Sequence, residues 1–183
     1  HSLSVTVGGQ VAVQDVDYGQ LRERLLKEGQ VLNYEYTYTG KAGVDPENLI
    51  GTVVDDGMAK LTGSWGNSSS TGTWVGREYR HDGNKADGRS IATFEAKLKS
   101  GRYEVRLAYS HNGNRATNVP VVVHHAEGNR TVLVNQKKVP PIDKLFLSLG
   151  EFNFSIDTPA VVTISNQETD GYVIIDAIQW IAK

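Results

Sequence analysis

Short segments that alternate apolar and polar residues fill most of this 183-residue chain. Alternation with a period of two is typical of strands that bury one face. The segments recur at intervals of roughly 8–12 residues and are separated by glycine, asparagine and proline, as in antiparallel sandwiches. The pattern therefore predicts a mainly β protein, an antiparallel β-sandwich of jelly-roll type that spans residues 51–183.

The clearest local signal is a hairpin between Val119 and Gln136. Two β-rich runs, Val119–His124 and Thr131–Gln136, flank a polar loop at residues 126–130, in which Gly128-Asn129 supplies turn chemistry. The most apolar segment, Tyr172–Ile181, is expected to be a central strand. The other strands expected from the pattern are Thr52–Asp55, Met58–Trp65, Ser90–Leu98, Gly101–Ser110, Phe146–Ile156 and Ala160–Ser165.

The apolar positions of these strands define the expected core. Trp180 lies in the most apolar strand and is expected to be buried there. The other residues expected to contribute most are Val105, Leu107, Val121, Val123, Val132, Val134, Ile174, Ile175 and Ile178.

Residues 1–50 have a different pattern from the rest of the chain. Leu3–Val13 alternates around Gly8-Gly9 and predicts a hairpin. Helical spacing of apolar residues predicts one short helix over Tyr18–Glu28, and Val31–Thr39 predicts a further strand. We expect residues 1–50 to be a hairpin, helix and connector left from an upstream domain, with a processing boundary at His1. On this interpretation the chain is a fragment of a longer protein.

Composition excludes several classes of function. The net charge is −2, from 19 basic and 21 acidic residues, which argues against capture of nucleic acid. There are no cysteines, so disulfides and cysteine-based zinc sites are excluded. No apolar run reaches the roughly 20 residues of a membrane span.

Three tryptophans are candidates for stacking on sugar rings. Trp65 and Trp74 flank a Ser/Thr/Gly-rich surface loop, so either an exposed platform or a place in the core is open for each. Trp180 is expected to be in the core.

Tyr79, Arg80, His81 and Asp82 place four groups suited to proton transfer in succession, where a polar loop running to Arg89 is expected to open. Neighbouring residues of a strand point to opposite faces, so the four side chains cannot converge. Structural hydrogen bonding by Arg80 or His81 is favoured over catalysis. His111, His124 and His125 have no carboxylate at a diagnostic spacing, and no metal site is predicted from them.

Asp82, Asn84 and Asp87 offer the oxygen ligands that calcium prefers, in a glycine-bearing loop. Their spacing is not that of an EF-hand, and the closing bidentate glutamate is missing. No cofactor is expected, with a structural calcium ion as the alternative.

Five motifs occur in an order that closely resembles one bacterial family. They are VVDDGMAKLTGSW, GREYRHDGN, GRYEVRLAYSHNGNRATNVPVVVHHAEGNRTVLVNQ, SLGEFNF and DGYVIIDAIQW. The family is the golvesin and xanthan-lyase carbohydrate-binding-like β-sandwich, in the version found at the C-terminus of bacterial FAD-dependent oxidoreductases. The resemblance covers residues 51–183 and implies a galactose-binding-like sandwich with an accessory role. The chain lacks the GxGxxG turn of a flavin site, so no FAD is expected here.

The expected function is a non-catalytic, carbohydrate-binding-like accessory domain of a larger bacterial enzyme. One alternative is a structural domain that packs on an upstream catalytic domain and has no ligand of its own. A weaker alternative is a polysaccharide-acting enzyme that uses Tyr79, His81 and His111. No catalytic residue is predicted.

A weak glycan site is expected at one end of the sandwich, with Trp65 or Trp74 stacking on a sugar. Tyr79, His81, Asn114 and Arg115 are expected to hydrogen-bond its hydroxyls. The expected partners are a polysaccharide and an upstream catalytic domain of the same chain, and the expected location is secreted, periplasmic or on the cell surface.

Overall fold

A computed structural model describes residues 4–7, 10–14 and 43–183, and the chain divides after residue 42 into two units. The described part of the first unit is an antiparallel hairpin of β1 (Ser4–Val7) and β2 (Gln10–Gln14), as the alternation around Gly8-Gly9 predicts. The predicted helix Tyr18–Glu28 and strand Val31–Thr39 lie outside the described residues.

The second unit is built from strands and two short 3-10 helices, Pro46–Asn48 and Asp56–Met58. Within the described residues, no helix is long and apolar enough to cross a membrane. The strands are β3 (Thr52–Asp55), β4 (Lys60–Thr62), β5 (Gly66–Ser68), β6 (Tyr79–His81), β7 (Asp87–Ala96), β8 (Gly101–Ala108), β9 (Val119–His125), β10 (Gly128–Val134), β11 (Phe146–Phe154), β12 (Ala160–Gln167), β13 (Ile174–Ile175) and β14 (Ala177–Ala182).

These strands form two main sheets and a small one, and the strands of each sheet pair in the antiparallel sense. The five-stranded sheet has the order β10-β9-β12-β7-β4, and the four-stranded sheet has the order β11-β8-β14-β3. The small sheet, β13-β6-β5, carries Tyr79 and His81. The predicted mainly β antiparallel sandwich is confirmed.

The core fills the space between the two main sheets. Alternate residues of β9 are fully buried at Val119, Val121 and Val123, while Pro120 and Val122 between them are half-buried. The four-stranded sheet contributes Val105, Leu107, Ile178 and Trp180 to the same core, together with Val134, Ile174 and Ile175 from neighbouring strands. The predicted core is therefore confirmed, except that Val132 is only half-buried because β10 is an edge strand.

The central hairpin is correctly predicted, but its turn is shorter than expected. β9 and β10 pair from Val119↔Val134 to His125↔Gly128, so only Ala126-Glu127 lies between the strands. The predicted loop at residues 126–130 was wrong in extent. Its polar residues belong instead to an exposed edge strand, whose first residue, Gly128, adopts a positive φ of 128°.

Other segments also differ from the prediction, among them the strand expected over Met58–Trp65, which is reduced to β4 because Met58 ends a 3-10 helix. Tyr79–His81 is strand β6 and not the opening of a polar loop. The predicted last strand is broken at Asp176, so that β13 joins the small sheet and β14 joins the four-stranded sheet. The buried Asp176 carboxylate accepts the backbone N–H of Val75, at 3.1 Å to each oxygen. This bond to a distant loop holds Asp176 at the break between the two strands.

Strand register defines two ends of the sandwich. At the loop-rich end lie residues 63–78, 82–86, 109–118 and 168–173, and at the hairpin end lie residues 97–100, 126–127 and 155–159. The loop-rich end is tied together by backbone bonds such as Ala116 N to Tyr172 O at 2.9 Å. The hairpin end is closed by Ala126 N, which donates to Asn153 O at 2.8 Å.

Gly63 shows how tightly β4 meets β7, and it gives a first testable prediction. Its φ is +73°, and a Cβ there would lie 2.3 Å from the carbonyl oxygen of Arg89. We expect Gly63→Ala to lower the free energy of unfolding by about 2 kcal/mol or more, because strain and a backbone clash add. Gly113→Ala is the control, since nothing lies within 4 Å of its Cβ position. Equal urea midpoints for the two variants would contradict the close approach.

Candidate functional site

The loop-rich end gathers most of the side chains predicted to bind a ligand. Tyr79 and His81 stand two residues apart on β6 and therefore share one face of the small sheet. Opposite them on β5 are Ser68 and Gly66, by the register Ser68↔Tyr79 and Gly66↔His81. The missing side chain of Gly66 leaves room for the His81 imidazole, whose Cε1 would lie 2.7 Å from a Cβ at that position.

Arg115 reaches into this face from the loop between β8 and β9. Its Nη2 donates to the Tyr79 hydroxyl at 3.3 Å, and its Nη1 donates to Asn114 Oδ1 at 2.9 Å. Its Nε donates to the Ser110 carbonyl at 3.2 Å. The guanidinium carbon also lies 5.7 Å from the centre of the Tyr79 ring. One cation thus fixes the phenol and two loop residues in a single arrangement.

Arg115 is only 6% exposed, and it makes no ion pair with any of residues 43–183. A buried charge is costly unless its hydrogen bonds are satisfied. Here neutral oxygens and a tyrosine ring supply that satisfaction, so the loop that carries Arg115 cannot shift without losing several bonds at once. The arrangement makes the loop-rich end rigid.

The Tyr79 hydroxyl has an unusual electrostatic setting. Burial is the largest single influence on its pKa and raises it, but hydrogen bonds with Ser68, Ser70, Thr71 and Ser110 together outweigh burial and lower the pKa to about 7. The side chain is nevertheless 1% exposed. The hydroxyl is therefore enclosed by hydrogen-bond partners, and a polymer in solvent cannot reach it.

The structure decides the alternatives left open for the tryptophans. Trp74 is 1% exposed and meets the edge of Tyr79 at a centroid distance of 6.2 Å, so it belongs to the core and offers no ring face for stacking. Trp65 is half-buried, packs against the core and donates its Nε1–H to the Thr62 carbonyl at 3.0 Å. Trp180 is fully buried, as predicted.

His81 and Tyr172 form a half-exposed aromatic pair beside this network. Their rings meet edge to face at 5.8 Å, and His81 Nδ1 accepts the backbone N–H of Gly83 at 3.2 Å. Asn114 is exposed, and its backbone carbonyl accepts the N–H of Tyr172 at 3.1 Å. His81, Tyr172 and Asn114 are thus polar and aromatic groups that this end presents to solvent beside the buried Arg115.

Asp82, one of the candidate calcium ligands, holds its own loop. Its carboxylate accepts the backbone N–H groups of Asn84, Lys85 and Val173, at 3.0, 3.2 and 2.9 Å, and the side-chain amide of Asn166 at 3.1 Å. These bonds join the loop to the end of β12 and to the start of β13. Within the described residues, no group of three His, Cys, Asp or Glu side chains is placed to hold a metal ion.

An acidic cluster lies beneath the small sheet on its other side. Arg80, which alternates away from Tyr79 and His81, donates its Nε–H to Asp56 Oδ2 at 3.0 Å. Burial, and then repulsion from Asp55, raise the pKa of Asp56 to about 7 despite this cation. Burial also raises the pKa of Asp176 well above its ordinary value, with Asp55 and Asp56 adding to the effect. Arg80 is thus structural, in line with the favoured interpretation of the sequence.

Of the six predicted ligand residues, the structure joins four in a chain of contacts: Trp74, Tyr79, Arg115 and Asn114. His81 lies beside them on β6, and Trp65 contacts β4 instead. Ser68, Ser70, Ser110 and Tyr172 were missed. Ser68 and Ser70 lie in the Ser/Thr/Gly-rich segment, whose polarity predicted a surface loop and gave no sign that Ser68 pairs with Tyr79. Tyr172 was assigned to the last strand, and its exposure depends on tertiary packing.

Comparison with known proteins agrees with this architecture. Xanthan lyase of Bacillus sp. (strain GL1) is 34% identical over 144 residues, which are 75% of this chain and 15% of that protein. The structure of a Paenibacillus xanthan lyase superposes with a TM-score of 0.66 and 31% identity over 72% of this chain and 13% of that one. The chain therefore spans about a seventh of the length of these relatives.

A Podospora anserina β-(1,4)-mannanase superposes with a TM-score of 0.54 at 16% identity, over 72% of this chain and 27% of that one, and shows the shared fold alone. Residues 50–182 match the Golvesin C-terminal domain, from Ile50 before β3 to Ala182 at the end of β14. The match includes both main sheets and every loop of the loop-rich end. This chain belongs to the Golvesin C-terminal domain family.

Proposed function

We propose that this domain is a non-catalytic accessory module that binds carbohydrate for a larger polysaccharide-acting protein, and that the loop-rich end is where it does so. The observation that carries the proposal is the solvent-facing set of His81, Tyr172 and Asn114 on a rigid frame. Imidazole, phenol and amide groups suit sugar hydroxyls and the apolar faces of sugar rings. Because Arg115 already fixes the frame, little conformational freedom is lost when a ligand binds.

The six predicted residues divide into two roles under this proposal. His81 and Asn114 contact the glycan, and Trp65 contributes the edge of its half-buried ring. Tyr79, Arg115 and Trp74 act from beneath by holding these groups in place. The site is shallow, and dissociation constants of roughly micromolar to millimolar order are expected.

The burial of Tyr79 argues against catalysis by its hydroxyl. Tyr79 has a lowered pKa and a neighbouring cation, as a general base requires, but its side chain is 1% exposed. His81 and His111, the other two members of the enzymatic alternative, are both half-buried, and His111 lies on a different loop. The hydrogen-bond network around Tyr79 therefore has a structural role in our proposal.

The parent protein is proposed to be a bacterial enzyme that acts outside the cell, in the periplasm or at the cell surface. The FAD-dependent oxidoreductase implied by the sequence resemblance is the other candidate parent. A purely structural domain is favoured by a single observation: Ile50 and Met58, which flank edge strand β3, are 67% and 79% exposed. Such apolar side chains suit a docking surface for a neighbouring domain.

Titration of the domain with acidic and neutral polysaccharides tests the proposed site. We expect saturable changes in tryptophan fluorescence, at least fivefold weaker binding for Asn114→Ala and for His81→Ala, and no released reducing ends. Thr131→Ala is the matched control, since Thr131 is exposed on β10 away from this end, and its affinity should stay within twofold. Flat fluorescence across the panel would favour the structural domain, and turnover of any polymer would refute the non-catalytic role.

A further inference from the structure

A cleft at the hairpin end has a chemistry of its own, far from the loop-rich end. It has a volume of about 330 Å³ and lies between the β9–β10 turn and the edge strand β11. Ligand pockets span roughly 300–1,000 Å³, so this one suits one or two sugar units. The lining residues that matter are Arg102, His125, Glu127, Arg130, Phe152 and Asn153.

The walls of this hairpin-end cleft are fixed by bonds between the two sheets. Ala126 N donates to the Asn153 carbonyl at 2.8 Å, and Asn153 Nδ2 donates to Glu127 Oε1 at 2.6 Å. The His125 ring lies against Phe152 with centroids 5.0 Å apart and planes tilted by 39°. The cleft is thus a preformed feature with an aromatic side.

The acceptors of the cleft are already used within the protein. Both oxygens of Glu127 are bonded, one to Asn153 Nδ2 and the other to His125 Nδ1 at 2.9 Å. Glu151 accepts Arg102 Nε at 2.9 Å with one oxygen, and its other oxygen lies 3.9 Å from Lys183 Nζ. Neither carboxylate needs a ligand to satisfy it.

The donors, in contrast, remain available. Arg130 is exposed, and its side chain makes no hydrogen bond or ion pair with any of residues 43–183. Arg102 lines the cleft and uses Nε for its ion pair, and its side chain is 64% exposed, which leaves its terminal nitrogens available to a ligand. Guanidinium groups bind carboxylates through two parallel hydrogen bonds, which makes an acidic group the best complement to this surplus of donors.

We propose that the hairpin-end cleft is a second binding site, which takes a carboxylate-bearing sugar unit of an acidic polysaccharide. Arg130 and Arg102 hold the carboxylate, and the His125–Phe152 pair borders the sugar ring. The domain would then hold a polymer at both ends of the sandwich. This site does not depend on the loop-rich end, and the two can succeed or fail separately.

The test is an amide NMR titration of the ¹⁵N-labelled 183-residue chain with a glucuronic acid–glucose disaccharide and with its neutral glucose–glucose analogue. We expect the acidic sugar to shift the amides of Ala126–Arg130 and Phe152–Asn153, and the neutral analogue to shift them at least fivefold less at equal concentration. Shifts confined to residues 109–118 and 168–173 would overturn this proposal and support the loop-rich site.

Variants separate a specific site from general charge attraction. Arg130→Ala should weaken binding of the acidic disaccharide at least fivefold, and Arg130→Lys should weaken it by an intermediate factor, because the charge stays and the paired donors are lost. Arg89→Ala removes an exposed arginine of β7 and should leave affinity within twofold. Equal losses for Arg89→Ala and Arg130→Ala, or equal shifts with inorganic phosphate alone, would overturn the assignment to an acidic sugar.

Discussion

Replacing Trp180 by alanine is expected to lower the free energy of unfolding by about 3–5 kcal/mol, the usual cost of truncating a large buried aromatic side chain. The residue is fully buried on β14, between Val105 of β8 and Thr52 of β3. The cavity would open at the centre of the four-stranded sheet, where backbone pairing on both sides hinders collapse. Urea midpoints with unchanged m-values measure the effect.

Two control variants make this result interpretable. Trp180→Phe keeps a ring and removes an indole N–H that is buried without a partner. It should therefore lower the free energy of unfolding by only about 1–2 kcal/mol. Leu133→Ala truncates a side chain that is 67% exposed and should change stability by less than about 0.5 kcal/mol. A loss below about 1 kcal/mol for Trp180→Ala would contradict a buried ring.

As the pH rises from 5 to 8, the titration of Asp56 is expected to destabilise the domain by on the order of 3 kcal/mol, offset in part above pH 7 by Tyr79, whose lowered pKa has the opposite effect. Burial, with repulsion from Asp55 second, raises the pKa of Asp56 from 3.8 to about 7. Between these two values the folded state binds more protons than the unfolded state, so stability falls as pH rises through the folded pKa. Urea midpoints at intervals across this range measure the slope.

Variants of Asp176 test whether this acidic cluster causes the pH dependence. Asp176→Asn keeps an oxygen that can accept the N–H of Val75 but carries no charge, so it should flatten the pH dependence and raise stability at pH 8. Asp176→Ala removes the acceptor and should cost about 1–3 kcal/mol at pH 5. An unchanged slope in Asp176→Asn would show that the acidic cluster does not cause the pH dependence.

The sandwich could be predicted because its strands bury one face each. β3 matches its predicted bounds, and β8, β11 and β12 begin where the alternation begins. The errors fall where local polarity and tertiary position disagree. Gly128 to Thr131 are polar because β10 is an exposed edge, and the single strand expected at Tyr172–Ile181 is split because Asp176 binds a backbone group from a distant loop.

The candidate site was predictable in its members more than in their roles. The motifs around Tyr79 and Arg115 singled out residues that do lie together. Their polarity suggested that Tyr79 and Arg115 face solvent, but both are buried. A buried arginine whose hydrogen bonds go to neutral oxygens has no recognisable sequence pattern. Trp74 illustrates the same limit, because a ring beside a serine-rich loop is equally compatible with the surface and with the core. The preference of the hairpin-end cleft for an acidic ligand depends on which of its carboxylates are already paired. That pairing follows from the packing of the β9–β10 hairpin against β11, which the sequence does not reveal.

The position of β14 also has a consequence for how the protein is made. Among residues 43–183, β3 is the first strand of the sandwich to leave the ribosome, and its partner in the four-stranded sheet is β14, whose residues are synthesised more than a hundred positions later. Contacts between such distant segments slow folding. The five-stranded sheet can therefore assemble while β3 and β8 still present open edges, and a nascent chain halted before Ile174 is a natural client for chaperones.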